Sequence, residues 1–159
     1  FRSLNGQIEK VFQTLPEVTV STDARGCLVI NAPRISSEPV VTNDLVEVVS
    51  ENQFKWLGRI DSVINSGGVK IIPEKVESTL ANHLTQRFFI AGVPDATLGQ
   101  KVVLVIEGAE LTEKQVESLK NNFQKLEKFE RPKDIISIPK FSETPTGKIQ
   151  RSGTLALVK

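Results

Sequence analysis

The sequence predicts an α+β fold: a small β-rich subdomain over residues 1–58, then a compact α+β domain over residues 59–159 with helices packed on a small sheet. Three observations carry this. Short apolar runs separated by turn residues fill the first 57 positions, as in a small sheet or half-barrel. From Gly58 onward, helical and strand-like periodicities alternate. The 159 residues suffice for one domain or two small ones with a real core.

The elements follow in order. Residues 8–12 and 18–20 read as short strands, and Asp23-Ala24-Arg25-Gly26 as a turn that Gly26 can close in the left-handed conformation. Residues 27–30 form the return strand, which holds the single cysteine, Cys27, as a buried and inert thiol. Residues 45–49 and 54–57 flank the polar turn 50–53 as a second hairpin. About 55 residues of this kind are marginal alone, so this part is expected to pack on more of a longer protein. Pro73 starts a helix over 73–84, at the position where its missing N–H costs nothing. Val76, Leu80 and Leu84 make its apolar face. Residues 87–93 form a strand ended by Pro94-Asp95, and 101–107 a strand whose near-continuous apolar run implies burial on both faces. Thr112 and Gln115 have capping-box spacing and open a helix to about Lys128, with Val116, Leu119, Phe123 and Leu126 as its stripe. Residues 135–138 are the last strand.

Composition bounds the function. The formal net charge is +1, which argues against a nucleic-acid binder, since those concentrate basic excess. One cysteine excludes an internal disulfide and points to a reducing compartment, the cytoplasm. No apolar run is long enough to span a bilayer, and no secretory pattern opens the chain. The sequence contains no methionine, so it reads as a segment of something longer.

Several residues stand out chemically. In the loop 142–151, Pro145 and Gly147 bracket Thr146 and put Lys148 at the tip, where its ammonium can reach an anion; an ordinary solvated turn reads the same way. Asn65-Ser66-Gly67-Gly68 allows close approach of a ligand, or simply turns a hairpin between 63–64 and 70–72; it is not a phosphate-binding P-loop. Asp44 is placed between two strands, where it can accept from ribose hydroxyls or close a turn. Trp56 is expected to pack the junction of the two parts. His83 lacks companions for a metal site or a hydrolytic triad and reads as surface or satisfied core.

Together these stretches resemble one family. Gly58-Arg59-Ile60-Asp61, Ser66-Gly67-Gly68, Lys70-Ile71-Ile72-Pro73, Glu74-Lys75-Val76-Glu77, Gly92-Val93-Pro94-Asp95, Arg131-Pro132-Lys133 and Pro145-Thr146-Gly147-Lys148-Ile149-Gln150-Arg151 occur in the order found in adenylate-forming enzymes. That family includes acyl-CoA synthetases, luciferases and peptide-synthetase adenylation domains. The resemblance covers residues 40–153. It makes 59–159 similar to the family's mobile C-terminal domain and 1–58 similar to the β-rich end of its N-terminal domain. Leu4-Asn5-Gly6, residues 27–32, Val41-Thr42-Asn43-Asp44 and residues 54–61 look most like the o-succinylbenzoate–CoA ligases of menaquinone synthesis.

The resemblance implies a two-step reaction, in which a carboxylate displaces pyrophosphate from ATP and the thiol of coenzyme A then attacks the acyl-AMP. It makes Lys148 the adenylation lysine, Asp44 the ribose-binding aspartate (with Asn43 in place of the usual glycine) and Arg59 a nucleotide-side contact. It makes Asp61 the hinge between the parts, and Ser66, Gly67 and Gly68 the loop along the pantetheine passage. ATP, Mg²⁺, coenzyme A, a carboxylic acid and the chain's own N-terminal domain are the implied cofactors and partners. The family's Ser/Thr/Gly-rich phosphate loop and its Tyr-Gly-x-Thr-Glu stretch are absent, so these residues alone are expected to lack ligase activity. A ligase for another acid, one that charges a carrier-protein thiol, and a non-catalytic interaction domain of the same fold are the competing expectations.

Overall fold

A computed structural model describes residues 11–157. The first half of the strand expected over 8–12, and Leu4-Asn5-Gly6, lie outside the described residues. The chain divides into two compact units, one ending at Ser62 and one beginning at Val63.

The first unit is an open antiparallel sheet. Its strands are β1 (Val11–Gln13), β2 (Thr19–Thr22), β3 (Cys27–Asn31), β4 (Val40–Ser50) and β5 (Gln53–Arg59), in the order β1-β5-β4-β3-β2. Gly26 takes φ 78°, which lets Asp23–Gly26 turn tightly between β2 and β3. The Asp23 carboxylate accepts from the amides of Arg25 (2.8 Å) and Cys27 (3.0 Å). Val20, Leu28 and Val46 are buried together, with Ile30 and Phe54 against them. Cys27 is fully buried, as expected of an inert thiol. β4 begins earlier than its apolar run implies, so Asp44 lies inside a strand, not between two strands as expected. Its neighbour across the ladder is Arg59 of β5. A 3₁₀ turn, Ile60–Ser62, ends the unit.

The second unit is built round β9 (Gly99–Glu107). β8 (Phe88–Asp95) runs antiparallel along it, and β10 (Asp134–Ile138) runs parallel on its other edge. The hairpin of β6 (Ile64–Ser66) and β7 (Val69–Ile71) joins through the pair Ser66–Gly99. Because side chains alternate across a sheet, β8 and β9 sort onto two faces. Ile90, Val102, Leu104 and Ile106 face one core with Val76 and Leu80 of α1 (Pro73–Leu80) and Leu119 and Phe123 of α2 (Glu113–Phe123). Phe89, Ala91, Val103 and Val105 face a second core with Ile138 and Phe141. Burial on both faces explains the unbroken apolar run of β9.

Both long helices are shorter than their apolar stripes suggest. After Leu80 the chain tightens into a 3₁₀ turn, Ala81–His83, and Leu84 turns extended while still packing on the core. Thr112 and Gln115 form the expected capping box. After Phe123, hydrogen bonds from Gln124 and Leu126 back to residues three earlier take over, so Leu126 is buried from a turn and not from a helix. A short helix, α3 (Arg151–Leu155), is a further element that no periodicity announced. Pro94 and Asp95, expected to end β8, instead lie within it.

Candidate functional site

In the first unit the ladder brings three of the expected residues together. The Arg59 guanidinium grips Asp61 with a two-point fork, Nε to Oδ1 at 3.0 Å and Nη2 to Oδ2 at 2.7 Å. Its Nη1 lies 3.8 Å from Asp44 Oδ1. That oxygen also accepts from the Trp56 indole at 3.2 Å. Trp56 is 43% exposed, and its indole nitrogen donates to Asp44 within the same unit. One cation thus sits between two part-exposed carboxylates, Asp44 on β4 and Asp61 in the 3₁₀ turn that follows β5. Chemically, such a group offers an acceptor for hydroxyls and a planar donor for phosphate.

In the second unit Gly67 and Gly68 are the two central residues of the β6–β7 turn, with φ 59° and 83°. Two consecutive positive φ values define the turn that fits a tight hairpin, and glycine adopts them without strain. The hairpin reading is therefore correct, and the backbone of the turn is exposed. It is also backed. Gly67 donates its amide to the Leu98 carbonyl at 2.9 Å, and the Asp95 carboxylate accepts from the amides of Thr97 and Leu98 at 2.9 Å each. A Cβ on Gly67 would meet Leu98 Cδ2 at 3.3 Å, whereas one on Gly68 would meet nothing within 4 Å. Ser66 is buried beneath the turn.

Those two amide hydrogen bonds hold the Asp95 carboxyl below its ordinary 3.8. The folded value is depressed, so its contribution to stability is present above 3.8 and fades as pH falls through the folded value. The β8–β9 turn should therefore loosen in acid. Amide resonances of Thr97 and Leu98 should titrate as pH falls below 3.8, together with protection of the Gly67 amide. Asp95→Asn should remove the titration; a flat response in the unmodified chain contradicts this account of the turn.

Lys148 lies on its own tight hairpin. Thr144 and Lys148 are joined twice across it: the Thr144 amide donates to the Lys148 carbonyl at 2.8 Å, and the Thr144 side-chain Oγ1 accepts from the Lys148 amide at 3.0 Å. Gly147 closes the tip at φ 78°. Glu143 and Ile149 pair below it, and Ile149 packs on the second core. The side chain of Lys148 is exposed, and among the described residues its ammonium has no hydrogen-bond or ion-pair partner. A charged donor is held out to solvent on a hydrogen-bonded hairpin tip.

What holds that hairpin was not visible in advance. On the outgoing limb, Arg151 Nη2 lies 3.0 Å from Glu77 and 3.3 Å from Glu74, both on α1. Its guanidinium carbon is 5.9 Å from the centre of the Phe89 ring. Glu77 also accepts from the Ile90 amide at 2.8 Å, and its burial pushes its pKa up against the pull of Arg151. On the incoming limb, Arg87 bridges Glu107 (3.2 Å) and Glu143 (2.5 Å) over the ring of Phe141. Fully buried Thr154 accepts from the Ser142 amide at 3.0 Å. Arg151 and Glu77 are 74 positions apart, beyond any local pattern; the one signal was the arginine that ends the lysine loop.

His83 is exposed and meets Lys125 Nζ at 3.1 Å. Among the described residues no group of three or more His, Cys, Asp or Glu side chains is placed to hold a metal ion. Among them, too, no helix is long and apolar enough to cross a membrane.

No protein-family model matches the chain. It is 33% identical over 119 residues to triostin synthetase I of Streptomyces triostinicus, covering 73% of this chain and 22% of that protein. It is 33% identical over 115 residues to an oxalate–CoA ligase of Arabidopsis thaliana, covering 69% and 22%. Among solved structures, an AMP-forming acyl-CoA synthetase/AMP-acid ligase II-like protein from Dyadobacter fermentans is 37% identical with TM-score 0.59, over 94% of this chain and 44% of that one. The o-succinylbenzoate CoA synthetase of Bacillus subtilis shares the fold at TM-score 0.75 and 17% identity, over 91% and 34%. The homologues and structural neighbours are thus AMP-forming acyl-CoA ligases in the main, and the likeness extends over most of the chain. The chain spans about a fifth of the length of the curated relatives it matches.

Proposed function

We propose that this chain is the C-terminal part of an adenylate-forming acid–CoA ligase, with residues 59–159 as its mobile domain and o-succinylbenzoate as its acid. The observation that carries this reading is Lys148: an unpaired ammonium on a stiff hairpin, in a chain 37% identical to an AMP-forming acyl-CoA synthetase-like protein. In the first step the carboxylate oxygen attacks the α-phosphorus of ATP, an acyl–phosphate bond forms, and the bond to pyrophosphate breaks. Two anions must approach, and the Lys148 ammonium offsets their repulsion and the charge that grows on the transferring phosphoryl group. Asp44 accepts from the ribose hydroxyls, and Arg59 faces the phosphate side. ATP and its Mg²⁺ are otherwise held by the part of the ligase outside this chain.

In the second step the backbone turns at Asp61, and the Gly67-Gly68 turn lines the passage for the pantetheine arm. The thiol of coenzyme A attacks the acyl carbon, its proton is lost, and AMP leaves. The exposed glycine backbone suits a narrow passage, since neither position carries a Cβ. The o-succinylbenzoate assignment is supported by the sequence stretches named above; on that reading the ligase works in the cytoplasm, in menaquinone synthesis.

Acid-dependent ATP–pyrophosphate exchange tests the reading. The full-length protein should exchange label with o-succinylbenzoate and transfer the acyl group to coenzyme A, and the isolated 159 residues should do neither. Exchange by the isolated chain overturns the assignment as a part-site. Exchange by the full-length protein with a different acid alone overturns the substrate and keeps the reaction class.

A further inference from the structure

We propose that Arg151 is a positioning residue for Lys148: seated between Glu74 and Glu77 of α1, it fixes where the lysine hairpin stands on the domain. This rests on the role given to Lys148 above. The hairpin has little of its own to hold it. A two-stranded turn is marginal in isolation, and α3 at five residues is too short to be stable by itself. Its position must come from what its limbs touch. Arg151 is three residues from Lys148, and its guanidinium reaches α1 and lies over Phe89 of β8. Glu77 in turn holds the Ile90 amide of β8. One side chain therefore refers the hairpin to a helix and a central strand at once.

The seat is built for a cation. Glu74 and Glu77 are only 13% and 20% exposed at their side chains, and without Arg151 they would face each other as two poorly solvated carboxylates. The fork is used through one nitrogen. Nη2 makes the contacts to both glutamates, while Nη1 and Glu74 Oε2 are buried without a hydrogen-bond partner among the described residues. A contact carried by one nitrogen can be replaced by an ammonium, which a two-point fork cannot. The corresponding clamp on the incoming limb, Arg87, is 46% exposed and correspondingly weaker.

The test uses the full-length ligase and its two half-reactions. Arg151→Gln should lower kcat for ATP–pyrophosphate exchange about ten- to a hundredfold, the usual loss for a reacting group displaced by about an ångström. KM for ATP and acid should stay within about twofold, and so should thioester formation from supplied acyl-AMP. In a Lys148→Ala background, Arg151→Gln should have no further effect, because residues acting as a unit are not additive. Arg151→Lys should recover most of the lost kcat, and it decides the matter if the glutamine variant does not fold. Equal loss in both half-reactions, additive losses in the double variant, or failure of lysine to rescue overturns the proposal. Undiminished exchange in Lys148→Ala instead overturns the assignment of Lys148, and this proposal with it.

Discussion

Lys148→Ala in the full-length protein is expected to lower acid-dependent ATP–pyrophosphate exchange by about 10²–10³-fold, the loss typical of removing one preorganised donor at a developing charge. That corresponds to about 3–4 kcal/mol of barrier. The magnitude follows from where the ammonium works. Two like charges 4 Å apart cost about 1 kcal/mol in water but about 4 kcal/mol at the effective dielectric of a protein site. Lys148→Arg should restore little, because a bulky planar fork cannot occupy the place of a compact point charge. The hairpin itself should survive both changes, since its hydrogen bonds are backbone and threonine groups and none uses the lysine side chain. Exchange within about twofold of the unmodified enzyme would remove Lys148 from the reaction.

Phe89→Ala should be the most destabilising single change under the hairpin. Phe89 is 2% exposed, packs edge-on to Phe141 at 5.1 Å, and carries the Arg151 guanidinium on its face. Removing a buried phenyl ring costs about 3–5 kcal/mol through lost transfer energy and the cavity left behind. The loss falls on the core that seats Ile149 and Leu155, so it should also loosen the lysine hairpin. Urea unfolding of the chain should show a lower midpoint for the second unit. A change below about 1 kcal/mol would mean that this core closes over the gap and does not anchor the hairpin.

The local features of the fold were legible in the sequence. The capping box at Thr112 and Gln115, the Gly26 turn and the two-faced burial of β9 rest on neighbouring residues or on an unbroken apolar run. Helix ends were not, because Leu84 and Leu126 are apolar for the sake of the core but reach it from a turn. The β4 strand hid its start because Thr42, Asn43 and Asp44 read as turn residues, while pairing of Val40 and Val41 with β3 and of Asp44 with β5 keeps the stretch extended. Of the candidate residues, the glycine turn and the lysine loop stood out by backbone chemistry. The Arg59–Asp61 fork is two residues apart and open to local reading, yet it needed the structure to be seen. The seat of Arg151 joins three distant segments, and no window of sequence contains it.

The most direct measurement is a single-turnover assay of the thioester step in the full-length Lys148→Ala ligase, starting from supplied acyl-AMP and coenzyme A. If Lys148 serves adenylation and the glycine turn serves thioester formation, acyl-CoA should form at a rate within about threefold of the unmodified enzyme while pyrophosphate exchange is lost. Parallel loss of both steps would contradict a division of the two half-reactions between these two loops.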